Sequence, residues 1–118
     1  MHKVLVVDDS ALTRHMMRQH LEASGFDVVE AESGPEAIEL YGQHQPDVVT
    51  LDLVMPDMEG EEVLQRLKEF DAGARVVVCS SNVQTAKHQE VLDLGALAFL
   101  TKPVRAEDLL KVLAENPT

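Results

Sequence analysis

The stretch VVTLDLVMPD, residues 48–57, ends an apolar run in an acid, Asp52. β-branched residues without polar alternation are typical of a strand that is buried on both faces. A carboxylate in such a place is costly unless an opposite charge compensates for it, and Met55-Pro56 marks a turn soon after it. The stretch therefore predicts a buried strand that carries an acid to the edge of a sheet.

Four further apolar runs lie along the chain, and helical patterns separate them. The five predicted strands cover residues 3–7, 26–31, 47–51, 75–79 and 98–101. Five repeats of strand and helix indicate right-handed crossovers and a parallel sheet with helices on both faces. The predicted fold is a doubly wound α/β, flavodoxin-like sheet in the order 2-1-3-4-5. A chain of 118 residues fits one such domain, over residues 1–118.

Capping residues and apolar spacing place the helices. Ser10, or a neighbour, and Ser33 stand where N-caps are expected, while Gly25 and Gly95 follow the ends of the first and fourth helices. The fourth helix is predicted from about residue 84 to residue 94. The apolar side chains predicted on the inner faces are Leu12, Met16, Met17, Leu21, Ile38, Tyr41, Val63, Leu64, Leu67, Phe70, Leu109, Leu110 and Leu113.

The polar side chains that interrupt the apolar pattern fall at the carboxyl ends of four strands. They are Asp8, Asp9, Asp52, Ser80, Ser81, Thr101 and Lys102. In a parallel sheet these ends share one edge, and ligands bind there at the point where the strand order reverses. The three acids come from the two strands that flank this point.

Three carboxylates in one crevice repel one another unless a cation intervenes. Lys102 supplies one positive charge, and Mg²⁺ suits the rest because carboxylates, waters and a phosphate complete its octahedral shell. A carboxylate beside Mg²⁺ and a lysine can attack a phosphoryl group as a nucleophile, while both cations stabilise the charge on that group. The pattern therefore predicts a magnesium-dependent phosphoacceptor.

Composition argues against several other classes of function. The net charge of −11 disfavours nucleic-acid binding, which depends on Lys and Arg at phosphates, and it disfavours anionic membranes. No apolar run approaches the ~20 residues that cross a bilayer. A single cysteine, Cys79, fits a reducing compartment, so we expect a cytoplasmic protein. The five histidines show no metal-ligand spacing and are expected to be solvated.

Four motifs at these strand ends, VVDDS, VVTLDLVMPDMEG, VVVCSSN and FLTKP, resemble the receiver domain of two-component response regulators. The resemblance covers essentially the whole chain, and DDSALTR and VVCSSNVQTA are most similar to chemotaxis-type receivers. It implies that Asp52 accepts phosphate from a histidine kinase. It also implies that Asp9, Asp52 and the carbonyl of Val54 bind Mg²⁺, with Asp8 acting through metal-bound water.

The same resemblance implies how the signal leaves the site. Lys102 would pair with the phosphoryl oxygens, Ser80 would be the switch hydroxyl, and Phe99 would be an aromatic switch that turns inward. The fourth helix, fifth strand and fifth helix would present the changed face to the flagellar switch or another effector. The chain would be a monomer or a weak phosphorylation-dependent dimer.

Three other interpretations compete with this one, and the residues at the motif positions argue against the first two. Haloacid-dehalogenase-like phosphatases carry a second Asp two positions after the nucleophile, where this chain has Val54. A Rossmann-type nucleotide domain needs a glycine-rich turn after the first strand, where this chain has Asp8 and Asp9. The chain could also be a receiver cut from a longer regulator. Taken singly, Asp52 could be a turn residue and Phe99 a core residue.

Overall fold

A computed structural model describes residues 2–53, 55, 58–80, 85–102 and 104–115, without the side chains of residues 85–87. The strands are β1 Lys3–Val7, β2 Asp27–Ala31, β3 Val48–Asp52, β4 Val76–Ser80 and β5 Ala98–Thr101. The helices are α1 Ala11–Ala23, α2 Gly34–His44, α3 Gly60–Phe70, α4 Thr85–Asp93 and α5 Ala106–Glu115.

The five strands form one parallel sheet in the order β2-β1-β3-β4-β5, which confirms the predicted doubly wound topology. β1 lies between β2 and β3, so the strand order reverses beside it. β3 and β4 each end one residue later than predicted. Asp52 pairs with Cys79, and Ser80 pairs with Thr101. Asp52 and Ser80 are therefore the last residues of their strands, held by the sheet itself.

Two apolar clusters cover the two faces of the sheet, because alternate residues of a strand point to opposite sides. Val49 and Leu51 of β3 belong to the cluster under α2, α3 and α4. Val48 belongs to the cluster under α1 and α5. By this alternation Asp52 continues the face that α1 and α5 cover.

The helix boundaries follow the predicted caps. The Oγ atom of Ser10 accepts a hydrogen bond from the Thr13 N–H at 3.2 Å, and Ser33 does the same for Glu36 at 3.2 Å. Gly25 has φ 93° and Gly95 has φ 107°, a left-handed conformation that glycine adopts without a steric penalty. The sequence therefore set the start of α1 and α2 and the turns after α1 and α4.

Four of the predicted inner side chains are exposed instead. Leu12 is 70% exposed, Met16 49%, Phe70 65% and Leu110 41%. The core row of α1 is Met17 and Leu21, which are four residues apart. Leu12 and Met16 form the next row, about 100° around the helix axis at 3.6 residues per turn, so they miss the sheet. Helical spacing of apolar residues thus predicted more buried side chains than the structure contains.

Within the described ranges, no helix is long and apolar enough to span a bilayer. The longest, α1, has 13 residues. At 1.5 Å per residue it is about 20 Å long, whereas the bilayer core is about 30 Å thick.

Candidate functional site

Three carboxylates meet at the carboxyl edge of the sheet, where β1 and β3 lie side by side. Oxygens of Asp8, Asp9 and Asp52 all lie within 4.8 Å of one another. Asp8 is 2% exposed and Asp52 is 8% exposed, while Asp9 is exposed to solvent. The predicted meeting of the three acids is therefore present, with two of them removed from water.

Lys102 inserts its amine among these acids from the end of β5. Its Nζ atom lies 2.5 Å from Oδ2 of Asp8 and 3.3 Å from Oδ2 of Asp52. The Lys102 N–H donates to the carbonyl of Ser80 at 2.9 Å, which fixes the residue to the end of β4. Burial alone would lower the pKa of Lys102, but its hydrogen bond to Asp8 and the charge of Asp52 outweigh burial, so that pKa is raised. Lys102 is consequently a permanent cation at neutral pH.

The turn between β1 and α1 is held by hydrogen bonds to Asp8. The Ser10 N–H donates to Oδ1 of Asp8 at 2.9 Å, and Nη1 of Arg14 donates to the Asp8 carbonyl at 2.6 Å. The Asp8 N–H donates to the carbonyl of Ala31 at 3.1 Å. The sequence reasoning missed Arg14. Arg14 lies four residues after the N-cap Ser10, and residues four apart share one side of a helix. This spacing could have indicated that Arg14 lies beside the turn that carries the acids.

Gly60, at the start of α3, allows that helix to approach the backbone that carries Asp52. A Cβ atom built at Gly60 would lie 2.6 Å from Cα of Leu53 and 3.1 Å from the carbonyl oxygen of Asp52. The Gly60 N–H also donates to the Leu53 carbonyl at 3.2 Å. Only glycine fits here without a shift of the backbone, so α3 braces the end of β3 directly.

Ser80 and Phe99 lie near the site on the neighbouring strands β4 and β5. Ser80 is 4% exposed at the end of β4. Phe99 pairs with Val78 and packs against the cluster under α2, α3 and α4. The imidazole of His88 on α4 stacks on the Phe99 ring, with centroids 4.8 Å apart and planes at 21°. His88 is therefore partly buried, whereas the other four histidines are exposed, as expected.

Cys79 lies beside Asp52 in the sheet register and is buried. Burial raises the pKa of its thiol to about 12, although the Lys102 charge acts in the opposite direction. A thiol that stays protonated is a poor nucleophile, so Cys79 is a core residue, as predicted from the sequence. The predicted ligand Val54 and the neighbouring Ser81 lie outside the described residues.

The donor set fits a hard divalent cation. All three side chains offer carboxylate oxygens close enough to share one ion, and Mg²⁺ prefers one or two carboxylates together with waters and phosphate oxygens. Three acids and Lys102 leave a formal local charge of −2, which one divalent ion would balance. The residues present are thus suited to Mg²⁺.

A parallel 2-1-3-4-5 sheet with an acidic crevice beside β1 and a lysine from β5 defines a class of signalling domain. The family model for the response regulator receiver domain matches residues 4–114, and the chain belongs to this family. Within the family it is a receiver of the CheY type. The chemotaxis protein CheY of Bacillus subtilis is 41% identical over 113 residues, which is 95% of this chain and 94% of that protein. Proteins of this family signal and are not ordinary enzymes.

Two solved structures show the same architecture. Chemotaxis protein CheY4 of Vibrio cholerae is 32% identical with a TM-score of 0.88, and the match covers 98% of each chain. A CheX–CheY–BeF₃–Mg²⁺ complex from Borrelia burgdorferi contains a chain that is 34% identical with a TM-score of 0.88. That match covers 97% of this chain and 87% of the other.

Proposed function

We propose that this chain is a phosphorylation-dependent switch in which Asp52 accepts a phosphoryl group from a histidine kinase in a magnesium-dependent reaction. The observation that carries the proposal is the position of Asp52. Its carboxylate is buried at the end of β3, 3.3 Å from Lys102 and within 4.8 Å of oxygens of Asp8 and Asp9. A carboxylate at this position adds little to apolar packing. The lysine and the two further acids around it are the kinds of groups that stabilise phosphoryl transfer, the lysine directly and the acids as metal ligands.

The proposed step forms a bond between an Asp52 oxygen and phosphorus. The bond from phosphorus to the donor's imidazole nitrogen breaks, and the imidazole leaves with its electron pair. Lys102 balances the charge that arrives with the phosphoryl oxygens, and its tether to Ser80 keeps the amine at the site. The product is an acyl phosphate on Asp52. Because the only proposed nucleophile is then occupied, each chain accepts one phosphoryl group until the acyl phosphate is hydrolysed.

Asp9 and Asp52 would hold Mg²⁺ directly, with the carbonyl of Val54 as a further ligand and Asp8 acting through water. When bound, the ion supplies charge neutralisation for the phosphoryl oxygens. The CheX–CheY complex from Borrelia burgdorferi contains BeF₃ and Mg²⁺, which supports Mg²⁺ as the ion in this proposal.

The response would be a shift between two pre-existing states. Ser80 would turn its hydroxyl toward the phosphoryl group, and Phe99 would turn inward. The stack of Phe99 on His88 supports a route from the site to α4, because a change at Phe99 must move or release an α4 side chain. The face formed by α4, β5 and α5 would then bind the flagellar switch or another effector.

The remaining elements of the proposal follow the family. Residues 1–118 would act as one cytoplasmic receiver domain, a monomer or a weak phosphorylation-dependent dimer. The chain would make no direct contact with nucleic acid and would not insert into a membrane. The net charge of −11 supports these two exclusions.

Intact-mass spectrometry after incubation with acetyl phosphate tests the proposal. Wild type with Mg²⁺ should gain the mass of one phosphoryl group, and Asp52→Asn or removal of Mg²⁺ with EDTA should abolish the gain. Asp93→Asn, the same substitution at an exposed acid on α4, is the control and should be labelled like wild type. Labelling of Asp52→Asn at the wild-type level would exclude Asp52 as the acceptor.

A phosphate-release assay separates the switch from a phosphatase. Free phosphate should track the slow decay of the labelled protein rather than accumulate over many turnovers. Lys102→Ala should still be labelled, but its α4–β5–α5 amide resonances should no longer respond to labelling. Rapid multiple turnover by wild type would favour the phosphatase alternative.

A further inference from the structure

Asp9 differs from the other two acids in how it is held. Asp8 is fixed by the Ser10 N–H and by Lys102, and Asp52 lies within ion-pair distance of Lys102. Asp9 is exposed, and among the described residues its carboxylate makes no hydrogen bond. Its position therefore depends on its backbone.

Arg14 holds that backbone. Its Nη1 atom donates a hydrogen bond of 2.6 Å to the carbonyl of Asp8. This carbonyl belongs to the peptide group that joins Asp8 to Asp9, and the peptide group is planar. A hydrogen bond to the oxygen restrains the rotation of this plane. Because the plane includes the Cα atom of Asp9, the restraint also limits where the Asp9 side chain can start.

Glu30 on β2 in turn aligns Arg14. Nε of Arg14 lies 3.2 Å from Oε1 of Glu30, and the Arg14 side chain is only 12% exposed. The second oxygen of Glu30 accepts a hydrogen bond of 2.6 Å from Arg18. Burial opposes ionisation of Glu30, but its hydrogen bonds to Arg18 and Arg14 outweigh burial and leave its pKa lowered. Glu30 is thus an ionised residue of β2 that connects, through Arg14, to the turn between β1 and α1.

From these contacts we infer that Arg14 is a positioning residue that sets the magnesium affinity of the site by fixing the Asp8–Asp9 peptide. The inference rests on the proposed magnesium-dependent function of the three acids. Arg14 contacts the Asp8 carbonyl, Glu30 and Glu32, and it acts through the backbone of the turn. Glu30 contributes by keeping the guanidinium in the orientation that reaches the carbonyl.

Two effects of Arg14 on a cation oppose each other, and this makes the inference testable. The positive charge of Arg14 repels Mg²⁺, so its loss should tighten binding if charge alone matters. The hydrogen bond orders the Asp8–Asp9 turn, so its loss should weaken binding if positioning dominates. Glu30 at 3.2 Å and Glu32 at 4.0 Å already offset part of the Arg14 charge. Positioning should therefore prevail.

The experiment is titration calorimetry of Mg²⁺ into wild type, Arg14→Met, Arg14→Lys and Arg18→Lys. Removal of a residue that orients a metal ligand costs about tenfold or more in affinity, and we expect Arg14→Met to bind Mg²⁺ about tenfold more weakly. Arg14→Lys should also bind more weakly, because one ammonium cannot reproduce the fork that reaches Asp8 and Glu30. Arg18→Lys loses a bond to the same Glu30 but no contact with the turn, and its affinity should match wild type.

Two further readouts separate positioning from general damage. In EDTA, amide resonances of Asp8, Asp9 and Ser10 should shift in Arg14→Lys and stay in place in Arg18→Lys. Labelling of both Arg14 variants by acetyl phosphate should return to the wild-type extent at high Mg²⁺ concentration.

Magnesium affinity of Arg14→Met equal to or tighter than wild type would overturn the inference. If Arg14→Met does not fold, Arg14→Lys decides by the same criterion. Failure of wild type itself to bind Mg²⁺ would instead overturn the proposed function, so the two failures are distinguishable.

Discussion

Replacement of Asp9 by Asn should have opposite effects on stability without and with Mg²⁺. In the metal-free protein, Asp9 faces Asp8 and Asp52, and Lys102 offsets only one of these charges. Asn keeps the shape of the side chain and removes its charge. The fold should therefore become more stable in EDTA, although the substitution removes a proposed functional group.

The magnitude follows from the distances. The acid oxygens lie within 4.8 Å of one another, and two like charges at this upper limit repel by ~3.5 kcal/mol at an effective dielectric constant of 20 and by ~0.9 kcal/mol in water. Since Asp9 is exposed and experiences one net negative charge, the lower figure applies, and we expect about 1 kcal/mol. For a chain of this length that is about 4 °C in Tm.

Addition of Mg²⁺ should invert the order. A ligand at 100 times its Kd stabilises the native state by about 2.7 kcal/mol. Wild type should gain this amount, and Asp9→Asn should gain much less because one proposed direct ligand is lost. Wild type should then be the more stable protein by about 1–2 kcal/mol.

Urea unfolding followed by circular dichroism at low ionic strength measures both effects, since the chain has no tryptophan. Asp27→Asn, the same change at an exposed acid of β2, is the control for net charge. The reasoning is refuted if Asp9→Asn is not stabilised in EDTA relative to Asp27→Asn. It is also refuted if Mg²⁺ stabilises Asp9→Asn as much as wild type.

Three further substitutions test other features of the structure. The buried Oγ1 atom of Thr50 has no hydrogen-bond partner within the described part of the chain, so Thr50→Val should stabilise by about 1 kcal/mol in urea unfolding; a loss of stability would indicate a partner. Gly60→Ala should cost about 2 kcal/mol because its Cβ meets the Leu53 backbone at 2.6 Å, and an unchanged Tm would show that α3 can shift freely. Because the pKa of Glu30 is lowered from its ordinary value of 4.5, ionised Glu30 stabilises the fold at pH values above 4.5. This contribution is lost as the pH falls through the lowered pKa. Glu30→Gln should therefore lose less stability than wild type on acidification, and parallel acid-unfolding curves would contradict this.

Much of the site was predictable because the topology of a parallel sheet is restrictive. Once five apolar runs alternate with helical patterns, the carboxyl ends of the strands share one edge. Asp8, Asp9, Asp52 and Lys102 stand at such ends, so their meeting followed from their places in the chain. Which acid Lys102 contacts more closely did not follow. The 2.5 Å contact with Asp8 and the 3.3 Å contact with Asp52 depend on how β5 and its following turn pack.

The sequence by itself determined the order of the elements, the caps of α1 and α2 and the set of polar groups at the sheet edge. These features depend on local conformational preferences and on the short list of allowed βαβ connections. Only the tertiary structure decided which apolar rows are covered, leaving Leu12 exposed, and which distant side chains meet. The contact of Arg14 with Glu30 and the stack of His88 on Phe99 arise from the packing of a helix against a strand, which helical and strand periodicity do not encode.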